Sequence, residues 1–304
     1  MTAIGKIIAI QGKRINVYFN GKIYQSNIRG KLLKDRLDAN PVAVGDNVSI
    51  VIGDNDTVTI EKILDRKQVL ARPDILVKGK TQVFATNLDQ LVVVSSTRSP
   101  DFKPGLIDRF LVSAEIEKLK AAIVINKIDL ASKEEFISYA NAWESAGYQV
   151  VFTSAKNHLG LDSFKKLLYE KSSVLTGHSG VGKSSLLNAI QPDLNLQTRQ
   201  ISRYSGKGVH TTSSVIMYPL ENSGWVVDTP GLKIFGLSGI GKKRLYECFP
   251  EIRDHEENCR FADCSHINEP DCAIKESVKN GRISEFRYQS YKKFWQQMDN
   301  QTLT

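Results

Sequence analysis

Residues 177–184 read Gly-His-Ser-Gly-Val-Gly-Lys-Ser and satisfy the phosphate-loop pattern G-x-x-x-x-G-K-[ST] at every defined position. Few patterns constrain a fold more, because this loop works only between a buried strand and the N-terminus of a helix. Ser173 to Thr176 reads as that strand and Ser185 to Ile190 as the first turns of that helix. The glycines let the backbone curl so that successive N–H groups face phosphate oxygens. Expected nucleotide contacts are therefore Gly177, His178, Ser179, Gly180, Val181, Gly182, Lys183, Ser184 and Ser185. Lys183 supplies a positive charge to the β- and γ-phosphates, and the Ser184 hydroxyl ligates Mg²⁺.

Two other strand ends indicate the base. From about residue 65 to 236 apolar runs alternate with helical patterns, as in an α/β domain. Leu91 to Ser95, Ala121 to Ile125 and Gln149 to Phe152 read as buried strands, with helices from Leu106 to Leu119, Lys133 to Ala146 and Leu161 to Leu168. The second strand ends at Asn126-Lys127-Ile128-Asp129 and the third at Thr153-Ser154-Ala155-Lys156. N-K-x-D suits guanine: the Asp129 carboxylate accepts two hydrogen bonds, and guanine offers N1–H and a 2-amino group as paired donors. Asn126 ties the loop together, the Lys127 stem covers the base, and the Ala155 N–H of S-A-K is placed for the guanine O6. GTP or GDP is the expected ligand.

Switch-like segments follow the phosphate loop. Asp228 ends the apolar run Trp225-Val226-Val227 and suits orientation of Mg²⁺, with the Gly231 N–H placed for the γ-phosphate. Thr211 or Thr212 can close on Mg²⁺ and the γ-phosphate. Leu232 stands where Ras-like enzymes carry a water-orienting glutamine. His210, beside the threonines, is the candidate replacement; a surface histidine in a mobile loop is the competing reading.

The flanks differ in character. Residues 1–64 alternate apolar and polar side chains in five short strands separated by turns such as Asn20-Gly21, which suits a closed barrel of the OB type. Its first 36 residues hold eight Lys or Arg against one acid, a face for RNA or simply a solvated one. In residues 237–304, Cys259, Cys264, His266 and Cys272 form a compact Cys₃His set suited to tetrahedral Zn²⁺, with His255 a competing ligand and Cys248 a core residue. From Ser277 the chain reads as helix. Its Lys279, Arg282, Arg287, Lys292 and Lys293, interleaved with Phe286, Tyr288, Tyr291, Phe294 and Trp295, suit either RNA contact or packing onto the zinc unit.

A 304-residue chain with 41% hydrophobic residues and 24% charged ones supports several packed domains. No apolar run approaches the roughly 20 residues of a membrane span, and the N-terminus reads as a first strand rather than a signal peptide. Four cysteines, three of them close together near one histidine, suit a metal site in a reducing, cytoplasmic setting rather than disulfides. A net charge of +8 suits a polyanionic partner or plain solubility.

The order of motifs is unusual, because the guanine motifs precede the phosphate loop. A barrel, guanine motifs, a phosphate loop, the His210-Thr211-Thr212 and Asp228–Gly231 switches and a final cysteine cluster together resemble the circularly permuted GTPases of small ribosomal subunit biogenesis, the RsgA (YjeQ/YloQ) family. Asn87-Leu88-Asp89-Gln90 and Asp108-Arg109-Phe110-Leu111 extend the resemblance over nearly the whole chain, while His178 stands where the family more often shows glutamine. The resemblance implies a monomeric factor that binds the small subunit and its rRNA late in maturation, hydrolyses GTP there and leaves. It also favours His266 over His255 as the fourth metal ligand and supports a role for His210. Three domains are expected: barrel 1–64, permuted GTPase 65–236 and zinc-bound, mainly helical unit 237–304. A GTP-binding, RNA-binding regulator with little turnover is the alternative, and multiple-turnover phosphate release separates the two. A small-molecule phosphotransferase would have no use for Asn126 to Asp129.

Overall fold

Five strands open the computed structural model, which describes residues 2–12, 14–28, 42–53, 57–73, 81–196, 215–228 and 240–301. They are β1 (Thr2–Gln11), β2 (Arg14–Phe19), β3 (Lys22–Ile28), β4 (Asn47–Ile52) and β5 (Val58–Ile63). A hairpin, β6 (Val69–Pro73) and β7 (Thr81–Thr86), follows. Then come β8 (Gln90–Ser96), α1 (Pro104–Ile116), β9 (Lys120–Asn126), α2 (Glu134–Ser145), β10 (Gln149–Phe152), α3 (Leu161–Leu168), β11 (Ser172–Thr176) and α4 (Lys183–Ile190). β12 (Ile216–Pro219) and β13 (Trp225–Asp228) precede the helices α5 (Pro250–Arg253), α6 (Ala273–Lys279) and α7 (Glu285–Gln301).

The chain forms two compact units: Met1–Gln90 with Lys165–Leu175 and Gln191–Ile234, and Leu91–Phe164 with Thr176–Ile190 and Phe235–Thr304. In the first, the order β1-β2-β3-β5-β4 with β4 returning to β1 closes a five-stranded barrel. Among the described barrel strands only β3 and β5 pair in parallel, the order of an OB fold. Alternation does the work: Ile7, Ile15, Val17, Val48, Ile50, Val58 and Ile60 point inward and bury one another. Asn20 and Gly21 both take positive φ, 47° and 77°, as a two-residue hairpin turn of matching twist requires.

Asn87-Leu88-Asp89-Gln90 works as a clamp within this unit. Asn87 accepts the Lys67 N–H and donates to Gly45 O, each at 2.9 Å. Asp89 accepts the Ser172 N–H at 2.7 Å, and Gln90 donates to Ser173 Oγ at 2.9 Å, so the strand that leads to the phosphate loop is held twice. β13 runs parallel to β11 and antiparallel to β12, and the barrel strand β1 joins β12 with Ala9 opposite Ile216. The Trp225 ring meets Tyr18 edge-on at 5.0 Å.

In the second unit β10, β9 and β8 lie side by side in that order, and every β8 residue is buried. The C-terminal helices share a core with Val112 of α1 that includes Leu245, Phe249, Ile252, Ile274, Tyr291 and Phe294. A single helix from Ser277 is not what forms. α6 stops at Lys279, Gly281 takes φ +72°, and α7 restarts at Glu285, because a left-handed glycine ends a helix at little cost. The aromatic residues of α7 pack inward: Tyr288, Tyr291 and Phe294 are buried. Arg287, one of the basic residues weighed for either RNA contact or packing, is buried as well, whereas Lys279, Arg282 and Lys293 are exposed. Five of the basic residues counted at the N-terminus, Lys13, Arg29, Lys31, Lys34 and Arg36, lie outside the described residues.

Candidate functional site

All five residues of β11 are buried, and the chain turns out of the sheet directly after Thr176. Gly177 has φ +138°, and a Cβ there would stand 2.0 Å from the Val94 carbonyl oxygen. Gly182 has φ +99°, and a Cβ there would meet the Asn126 side-chain amide at 2.4 Å. Both positions exclude a side chain on conformation and on space. Lys183 opens α4 and folds back, its Nζ donating to Gly177 O at 2.8 Å and His178 O at 3.1 Å. That places the ammonium over the loop whose N–H groups suit phosphate. Ser184 is buried in the first turn of the helix, and His178 is exposed.

N-K-x-D is bonded into this loop. Asn126, buried at the end of β9, donates through Nδ2 to Val181 O at 2.9 Å. Its Oδ1 accepts from Thr153 Oγ1 and from the Ala155 N–H, both at 3.2 Å. The Ala155 N–H, expected at the guanine O6, is thus aimed at Asn126 here. Lys127 takes φ +63°, and its Nζ donates to Gly180 O at 2.7 Å and to Ser99 O. Burial lowers its pKa, and the charge of Asp129 opposes that. Ser154 Oγ donates to Asp129 Oδ1 at 2.6 Å and fixes the carboxylate, while Lys156 is exposed. One network therefore joins the phosphate loop, N-K-x-D and S-A-K. His210, Thr211, Thr212 and Gly231 lie outside the described residues, as does the side chain of Asp228.

The second cluster lies in the C-terminal helical region. One donor atom from each of Cys259, Cys264, His266 and Cys272 falls within 4.8 Å of every other. His266 Nδ1 stands 3.5 Å from Cys259 Sγ and 3.6 Å from Cys272 Sγ, and those two sulfurs are 3.9 Å apart. A tetrahedral Zn²⁺ site with ordinary bond lengths has S–N edges of about 3.6 Å and S–S edges of about 3.8 Å. Burial pushes the Cys264 thiol up to about 12 and raises Cys272 as well, so thiolates here need a cation beside them. Burial lowers the pKa of His266, which keeps the neutral imidazole that a metal requires. The donor set fits a structural metal and leaves no open position. His255 is elsewhere, with Nδ1 3.0 Å from Glu251 O, and Cys248 lies in the core.

Sequence reasoning passed over two contributors. Thr97 Oγ1 donates to the Lys127 carbonyl and steadies N-K-x-D from β8's end. Glu269 organises the metal loop, accepting the N–H groups of Ser265, Ile267 and Asn268 and the Ser265 hydroxyl. Its only sequence signal is an acid between two metal ligands.

The RsgA GTPase family profile matches residues 63–242. Among curated relatives, the small ribosomal subunit biogenesis GTPase RsgA of Bacillus cereus is 38% identical over 95% of each chain. The protein of the same name from Gemmatimonas aurantiaca is 42% identical over 90% of each, and that of Christiangramia forsetii 38% identical over 90% of this chain and 89% of its own. Of solved structures, YjeQ from Thermotoga maritima superposes with a TM-score of 0.78 at 32% identity over 98% of this chain and 99% of that one. YloQ, described as a circularly permuted GTPase, gives 0.77 at 30% identity over 99% and 96%. With the barrel, the guanine motifs ahead of the phosphate loop and the Cys₃His cluster all in place, the chain belongs to the RsgA GTPase family and is a circularly permuted GTP hydrolase.

Proposed function

We propose that this GTP hydrolase acts on the small ribosomal subunit late in its maturation, contacting rRNA as a monomer in the cytoplasm and leaving after hydrolysis. The observation that carries the nucleotide half is the bonding of Asn126 and Lys127 to Val181 O and Gly180 O, which ties N-K-x-D to the phosphate loop. The relatives, small ribosomal subunit biogenesis GTPases by name, support the ribosomal half.

Roles follow from chemistry. Asp129 reads the guanine N1–H and 2-amino group, Asn126 and Ser154 hold it in place, and Lys127 covers the base. The N–H groups of residues 177–185 and the Lys183 ammonium neutralise the phosphates. Ser184, Thr212 and Asp228 would hold Mg²⁺ with the nucleotide, and that ion would supply charge to offset what develops on the phosphates. His210 orients the attacking water in place of the glutamine that Leu232 replaces. Zn²⁺ on Cys259, Cys264, His266 and Cys272 is structural. We assign the barrel to residues 1–64, the GTPase domain to 65–236 and the zinc-bound unit to 237–304.

An enzyme without a switch glutamine should turn over slowly alone and faster on its partner. The test is steady-state phosphate release with small or large ribosomal subunits at several salt concentrations. Small subunits should accelerate release, and the acceleration should fall steeply with salt as phosphate contacts give way to counterions. Equal rates with and without small subunits at low salt, with binding shown separately, would refute the reading.

A further inference from the structure

The C-terminal helix carries a buried cation that lies outside both the Cys₃His cluster and the phosphate-loop network. Arg287 on α7 is 1% exposed. Its Nη1 donates to Asp108 Oδ1 at 2.6 Å, and its Nε and Nη2 donate to the two carboxylate oxygens of Glu251 at 2.6 and 3.2 Å. Its guanidinium stacks 4.8 Å from the Phe249 ring centroid. Asp108 on α1 is 0% exposed and also accepts from Trp143 Nε1 at 2.8 Å and from Ser290 Oγ. A lone buried carboxylate would be costly; here every donor that satisfies it comes from α2 or α7.

The other side of α1 faces the nucleotide loop. Leu106, Ile107 and Phe110 share a cavity with Gly177, His178 and Val181. The segment 97–103 that leads into α1 offers Ser99 O to the Lys127 ammonium, and Pro100 stands 3.6 Å from where a Gly180 Cβ would sit. Helix α1 is therefore held by α7 on one side, while on the other it lines a cavity with the phosphate loop and follows the segment that meets the N-K-x-D lysine.

We propose that Arg287 is a positioning residue for the nucleotide site: through Asp108 it sets the placement of α1, and α1 sets the 97–103 segment against Lys127 and Gly180. Only arginine meets both carboxylates, because its planar fork spans Glu251 bidentately while a third N–H reaches Asp108. A lysine keeps the charge but not the span.

The inference rests on the guanine-nucleotide reading of the site. The experiment titrates fluorescent GDP into the full-length wild type, Arg287→Lys and Asp108→Asn, with hydrogen exchange followed over residues 97–103. Ile274→Ala, a core truncation on α6, which carries none of these ion pairs, controls for lost stability of the C-terminal region. Arg287→Lys and Asp108→Asn should each raise the GDP dissociation constant roughly ten-fold, the scale of coupling between linked sites, and speed exchange over 97–103. Ile274→Ala should lower the melting temperature and leave GDP affinity in place. Unchanged GDP affinity in both ion-pair variants overturns the proposal, as does an equal loss in Ile274→Ala. A wild type that binds no GDP overturns the nucleotide reading along with it.

Discussion

Replacing Glu269 by glutamine should weaken metal binding although Glu269 is not a ligand. The carboxylate sits between His266 and Cys272 and accepts four donors, the Ser265 N–H and hydroxyl on one oxygen and the Ile267 and Asn268 N–H groups on the other. Burial pushes its pKa up, but the Ser265 hydroxyl and the loop N–H groups outweigh that and hold it at about 2. The loop needs this support, since His266 adopts φ +61°, a left-handed conformation that costs about 1–3 kcal/mol in a residue other than glycine. Glutamine keeps one acceptor oxygen and turns an NH₂ group toward two N–H donors. Two hydrogen bonds to a charged acceptor are lost; screening at this partly exposed group leaves about 2 kcal/mol of the full value. With folding of such a loop coupled to metal binding, that loss would pass into affinity as roughly a thirty-fold higher zinc dissociation constant. A carboxylate with a depressed folded pKa stabilises the fold above its ordinary pKa and loses that contribution only as pH falls toward the folded value. Competition with a chromophoric chelator at pH 7 therefore measures the whole effect. Ser265→Ala, which removes one hydroxyl donor, should cost less. Wild-type zinc affinity in a folded Glu269→Gln chain would show that the four hydrogen bonds do not shape the site.

Three further outcomes follow from the nucleotide site. Asp129→Asn should shift preference from GDP to xanthosine diphosphate, because an asparagine amide donates to the carbonyl that replaces the 2-amino group; competition binding checks this, and unchanged guanine preference would mean that Asp129 does not read the base. Gly182→Ala should abolish measurable GDP binding while the chain stays folded, since its Cβ would stand 2.4 Å from the Asn126 amide at φ +99°; near-normal GDP affinity by titration would contradict the close approach. His210→Ala should slow single-turnover hydrolysis by about ten- to a thousand-fold, the range for one catalytic group, with GDP affinity retained; a wild-type rate would remove His210 from the mechanism.

Much of this protein was legible in the chain because its chemistry is local. A phosphate loop needs contiguous glycines at a strand-to-helix turn, and N-K-x-D needs its residues at one strand end, so both are written in consecutive letters. The barrel shows as alternation of period two broken by Asn20-Gly21, and the candidate metal set as three thiols and an imidazole within a short span. The break between α6 and α7 was also written locally, in Gly281, but a long amphipathic pattern masked it. The β6–β7 hairpin left a weaker trace, because its strands lack strict alternation and gain their support from contacts with the barrel such as Thr86 on Asp46. Arg287 shows what no local pattern carries. Beside Lys292 and Lys293 it looks like one more solvated cation, and only the packed structure brings Asp108, 179 residues away in sequence, against its guanidinium. Charge along a helix specifies how a residue can pair; whether it meets water, RNA or a buried carboxylate depends on which other segment folds over it, and that is settled by the packing of elements far apart in the chain.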